Sequence, residues 1–88
     1  MSKEESLIEY PCEFPIKAFG KSQAEFPQAV TEIMLRHDSG FKADSITTKS
    51  SKTAKYTSLT CTIHATSREQ LDAIYQELSD HPMVVMTL

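Results

Sequence analysis

Two short clusters combine residue types and spacing that could do chemistry. Gly20, Lys21 and Ser22 stand between an apolar alternating stretch and a helix-period stretch. In such a strand-to-helix turn a glycine lets a ligand come close, a lysine supplies charge, and a hydroxyl with free N–H groups receives a small anion. The plain alternative for Gly20 is a turn residue. The second cluster is Lys49, Ser50, Ser51, Lys52, Lys55 and Tyr56. Lysines interleaved with hydroxyls suit the carboxylate or phosphate of an acidic partner; equally, they suit a solvated hairpin whose charges guard an edge strand.

Other reactive residue types are scattered. His37, His64 and His81 share no metal-ligand spacing, and the turn at residues 20–23 has no cysteine for a metal and no arginine to hold a phosphoryl group. No catalytic, metal-binding or cofactor-binding residue is therefore named and no cofactor is expected. The enzyme alternative is a small acyl- or phosphoryl-transfer activity using the first strand-helix turn. His37 reads as a helix C-terminal residue favoured by the dipole, His64 as a solvated strand residue, and His81 as part of a helix stop. Cys61 falls on an apolar strand face and reads as a small buried hydrophobe, while Cys12 near the start has no basic neighbour to activate it.

The elements that would position these residues follow from periodicity. Lys55 to Leu78 organises the chain. Tyr56–Ala65 alternates with Leu59, Cys61, Ile63 and Ala65 on one side, then passes almost directly into a helix with Leu71, Ile74 and Leu78 in its stripe. Thr66 with Glu69 is expected to form the capping box, and Pro82 to close the helix. Strand one is expected from Phe14 to Gly20. Helix one follows from near Ala24–Phe26 to His37, with Phe26, Val30 and Ile33 inward, Pro27 in its first turn and Gly40 as a left-handed cap. Phe41–Ser50 reads as a polar edge strand, residues 50–54 as a longer hairpin loop, and Met83–Leu88 as strand four.

The order β-α-β-β-α-β is a split βαβ arrangement. Right-handed crossovers place both helices on one face of an antiparallel sheet with strands one and three central, an α+β two-layer sandwich. Phe14, Ile16, Ala18, Leu59, Cys61, Ile63, Val84, Met86 and Leu88 are expected in the core. Phe19, Met83 and Val85 are expected on the uncovered face beside Ser58, Thr60, Thr62 and His64.

The 88 residues suit one domain, expected at 13–88 after a flexible lead-in at 1–12. Such a chain hides only about 60% of its unfolded surface, which leaves little room for a deep enclosed site. The formal charge of −3 is uneven, since residues 1–41 and 67–88 each sum to −3 and residues 42–66 to +3. One basic patch on an acidic body, with few rings on the open face, counts against nucleic acid, which stays as a weak alternative. No apolar run has the length of a signal or membrane segment, and the cysteine usage fits a reducing cytoplasm, so a cytoplasmic protein without a membrane partner is expected.

A wider pattern runs from Leu7 to Leu88. It comprises Leu7, Glu9, Pro11, Phe14, Lys17 and Gly20, then Val30, Glu32, Arg36, His37 and Gly40. Ser50, Ser51, Lys52 and Tyr56 follow around the hairpin, and Ala65, Thr66, Glu69, Gln70, Tyr75, Glu77 and Leu78 towards the second helix. In this order and spacing the chain resembles the YbeD-like family of small uncharacterised bacterial proteins. The resemblance implies a ferredoxin-like βαββαβ fold and a similarity to ACT regulatory domains, which bind small effectors. The expected function is a non-enzymatic regulatory or protein-interaction module. Its partners would be another protein, a second copy of itself as a homodimer, or a small anionic effector. Gly20, Lys21 and Ser22 would take the effector, and Lys49, Ser50, Ser51, Lys52, Lys55 and Tyr56 the partner.

Overall fold

A computed structural model describes residues 9–88. The elements are β1 (Cys12–Lys21), α1 (Glu25–His37), a 3₁₀ turn (Ala43–Ser45), β2 (Thr47–Ser50), β3 (Tyr56–Ala65), α2 (Arg68–Asp80) and β4 (Val84–Thr87). The sheet is antiparallel in the order β2-β3-β1-β4, with β1 and β3 central, and the two helices complete a two-layer α+β sandwich of the ferredoxin-like kind.

The β1–β3 ladder pairs Phe14 with Ile63, Ile16 with Cys61 and Ala18 with Leu59, so alternation on both strands sends the same face inward. Ile16, Ala18, Leu59, Cys61, Ile63 and Ala65 are buried there against Phe26, Val30, Ile33 and Met34 of α1 and Leu71, Ile74 and Leu78 of α2. Burial pushes the Cys61 thiol up to about 11, as expected for a cysteine serving as a packing residue. The first eight residues of the expected lead-in lie outside the described residues. Tyr10 and Cys12 pack against the core.

Pro27 stands in the first turn of α1 as expected, whereas several other local expectations are corrected. Pro27 is the third residue of α1 and costs no helical bond, and its carbonyl accepts the Thr31 hydroxyl. Gly40 is not a left-handed cap, because no described glycine has a positive φ. Asp38 ends the helix instead in extended geometry. Its Oδ1 accepts the N–H of Gly40 at 3.1 Å and its Oδ2 the N–H of His64 at 2.9 Å, tying the helix end to β3. Residues 41–46 are not strand: Phe41 turns into the core, and the 3₁₀ turn intervenes before β2. The cap of α2 is Ser67 rather than Thr66. Its hydroxyl accepts the N–H of Gln70 at 3.1 Å, while Gln70 Oε1 accepts the N–H of Thr66. Ser67 and Gln70 have the spacing of a capping box displaced by one residue from the expected Thr66 and Glu69.

The faces of β4 are also revised. Phe19 pairs with Met86 but Gly20 pairs with Val84, so Val85 is an extra residue in the ladder. Such a bulge reverses the alternation beyond it. Val84 packs on the core as expected, but Met86 and Leu88 turn to the open face and are 50% and 64% exposed.

Glu77 clamps the helices together. One carboxylate oxygen accepts from Arg36 Nε and Nη2, and the other meets His37 Nε2. The Arg36 hydrogen bonds, then that of His37, hold its carboxyl below the usual range. A lowered carboxyl pKa gives stability above the unfolded value near 4.5, lost as pH falls through the folded value. In urea unfolding at pH 7, Glu77→Gln is expected to cost about 0.5–1 kcal/mol, the scale for a largely solvated cluster. The difference from the parent should shrink as the pH falls below 4.5, and a difference unchanged once the carboxyl is protonated would assign the loss to packing.

Candidate functional site: the basic end and the open sheet face

The two clusters read from the sequence are neighbours. Lys21, the last residue of β1, pairs with Tyr56, the first of β3. Beyond that pair Ser22 donates its N–H to the carbonyl of Lys55 at 2.9 Å, and its hydroxyl is 2.7 Å from that of Thr57. The strand-helix turn is thereby sewn to the β2–β3 hairpin. The hairpin is closed by Ser51, whose N–H donates to the Tyr56 carbonyl at 2.9 Å and whose hydroxyl accepts from the Tyr56 N–H at 3.3 Å. Lacking a glycine or asparagine, the loop places Ala54 at a φ of 60°.

Lys21, Ser22, Gln23, Ala54, Lys55 and Tyr56 line an open depression of about 420 Å³ at this end. Tyr56 is the shared wall with a smaller hollow of about 170 Å³ on the sheet face, lined by Phe19, Lys49, Ser50, Ser51, Thr57 and Ser58. Lysines and hydroxyls are residue types suited to an anion. The first depression has no histidine, cysteine or carboxylate in its lining, and the Ser22 hydroxyl is partnered by Thr57. A Ser-His-Asp arrangement around Ser22 is therefore not present in this lining.

Gly20 does not face this depression. A Cβ on it would lie 2.3 Å from the Met83 carbonyl oxygen and 2.8 Å from the Phe26 ring. Its missing side chain makes room for the turn that leads into β4 and for α1. Lys52 lies in the exposed hairpin loop outside both hollows.

The sequence placed Phe19 on the open sheet face, and the structure shows which residues surround it. Register places Lys49, Ser58, Phe19 and Met86 in one row across the four strands. The next row has Thr47, Thr60, Lys17 and Leu88, the last two exchanging backbone hydrogen bonds of 3.0 and 2.9 Å. Lysines and exposed apolar groups therefore alternate over this face. Alternation in β1 sets Lys17 beside Phe19 on this side, and Lys21 belongs to the first cluster, whereas the signal for Met86 and Leu88 was hidden by the bulge.

Charge is segregated by layer. The helices carry six carboxylates against two arginines, whereas β1 and the β2–β3 hairpin carry five lysines against Glu13. Glu13 sits at the far end of the face, 3.4 Å from His64. Of the other histidines, His37 serves the Glu77 clamp, and His81 accepts the Met83 N–H at 3.1 Å. Among the described residues no group of three or more histidine, cysteine, aspartate or glutamate side chains could hold a metal. Nor is any described helix long and apolar enough to cross a membrane.

Fold and surface together define a small βαββαβ domain whose candidate site is an open basic surface. The chain belongs to the family described as protein of unknown function (DUF493), whose model matches residues 5–88. It is 56% identical to a UPF0250 protein of Nitrosomonas europaea over 97% of this chain and 98% of that one. It is 53% identical to a UPF0250 protein of Bordetella pertussis over 97% and 93%. These matches correct the family expectation: the assignment is DUF493/UPF0250 and replaces the YbeD-like one. The solution structure of an H. pylori structural-genomics target superposes with a TM-score of 0.76 at 24% identity, covering 92% of this chain and 85% of that one, and shows the same fold.

Proposed function

We propose that this protein is a non-catalytic binding module of the regulatory or protein-interaction kind, which takes the anionic group of its ligand at the end formed by Lys21, Ser22, Lys55 and Tyr56. The observation that carries the reading is the joining of turn and hairpin by the Ser22 hydrogen bonds to Lys55 and Thr57, which gathers lysines from separate parts of the sequence. The carboxylates of the helical layer add to it by directing an anion towards the opposite face. An effector bound here, in the manner of ACT domains, would act through whatever the protein is docked to, by favouring one of two assembly states.

The test is titration calorimetry with a poly-glutamate 12-mer at low salt. Lys21→Glu/Lys55→Glu should weaken uptake at least tenfold (~1.4 kcal/mol), with the circular dichroism of the parent retained. Unchanged uptake in the folded double variant, or no uptake by the parent, would remove the basic end as the site.

A further inference from the structure

We infer that the open sheet face binds single-stranded nucleic acid, with Phe19 and Tyr56 as stacking platforms and Lys17, Lys21 and Lys49 on the phosphates. The inference rests on the anion-directed reading above and names the class of ligand. Phe19 and Tyr56 project from the two central strands on the side away from the helices. Phe19 pairs with Ser58, which puts Tyr56 at the diagonal position, about 7–8 Å away between backbones. Tyr56 is 46% exposed and Phe19 half-buried, so the rings have open surface while their bases are held by the ladder. Two rings so placed on adjacent strands can each take one base of a splayed strand.

The lysines surround the rings. Lys17 and Lys21 lie two residues to either side of Phe19 on β1, and Lys49 pairs with Ser58 on β2. A strand running over the rings would therefore keep its phosphates within reach of cations, and the carboxylates of the helical layer would exclude it from the back of the molecule. A single strand is favoured over a duplex because a duplex hides the faces of its bases. The face has no arginine to read a base edge by paired hydrogen bonds, so binding should tolerate changes of sequence. Nucleic acid is favoured over an acidic peptide by the diagonal pair of rings, for which a carboxylate chain has no use.

The test is fluorescence anisotropy with a labelled 12-nucleotide oligouridylate at low salt, with the poly-glutamate 12-mer as competitor. Binding should fall with salt at a logarithmic slope of about −2, the value for three phosphate contacts on a single strand. Phe19→Ala and Tyr56→Ala should each weaken it roughly 5- to 100-fold. Phe19→Leu, which keeps the apolar bulk and loses the ring, should resemble Phe19→Ala, separating stacking from any effect on folding. If poly-glutamate binds and oligouridylate does not, or if the ring variants bind as the parent does while the lysines still matter, the nucleic-acid inference falls and the binding module stands. If neither ligand binds, both fall.

Discussion

Gly20→Ala is expected to lower the stability of the protein by about 3 kcal/mol, the upper part of the usual range for overpacking. The added methyl would stand 2.3 Å from the Met83 carbonyl oxygen and 2.8 Å from two atoms of the Phe26 ring. The first is backbone and cannot swing aside, and the second belongs to a ring with no exposed surface. For a domain of this length the loss corresponds to a fall in Tm of roughly 12–24 °C, measured by thermal unfolding followed by circular dichroism. Gly40→Ala is the control. There the nearest atom, Asp38 Oδ1, is 3.6 Å from the added carbon, an ordinary contact, and Tm should barely move. Were Gly20 present to admit a ligand, its alanine variant would keep its Tm and lose only binding.

Phe26→Ala should cost more, about 3–5 kcal/mol, as for other fully buried phenylalanines. Phe26 is the second residue of α1 and lies against Gly20 of β1, so its ring fixes the start of the helix over the end of the strand. Total stability for such a chain is on the order of 4–13 kcal/mol, so the variant should be close to unfolding at 37 °C. The Gly20→Ala/Phe26→Leu double variant should lose less than the sum of its two singles, since a smaller side chain relieves one of the two clashes. Strict additivity in urea unfolding would mean that the two sites do not share the contact described here.

The residues that announced the fold were those with a single periodicity. Tyr56–Ala65 alternates without interruption, and its bounds in the structure match those read from the sequence. Pro27 limited where α1 could start, because a proline is tolerated only in the first turn. The misread places are those decided by one long-range contact. The Asp38 carboxylate reaches across to β3 and does the work expected of Gly40, and Phe41 leaves the strand pattern to pack in the core. One extra residue at Val85 reversed the faces of β4 beyond it, and with them the make-up of the open sheet.

Both candidate clusters were legible as residue types, but their adjacency was not. Nothing in the spacing of Ser22 and Lys55 foretells the hydrogen bond that joins them, since it depends on the β1–β3 register. Gly20 illustrates the converse: a residue type consistent with ligand approach is held in place by packing between β1, α1 and the turn that leads into β4.

The basic end and the sheet face as one ligand surface can be tested most directly by two-dimensional amide NMR of the whole chain during titration with the poly-glutamate 12-mer. The account predicts shift changes concentrated in residues 17–22, 49–58 and 86–88, with α1 beyond its first turn and α2 undisturbed. Changes centred on the outer faces of the helices, or no saturable change anywhere, would contradict it.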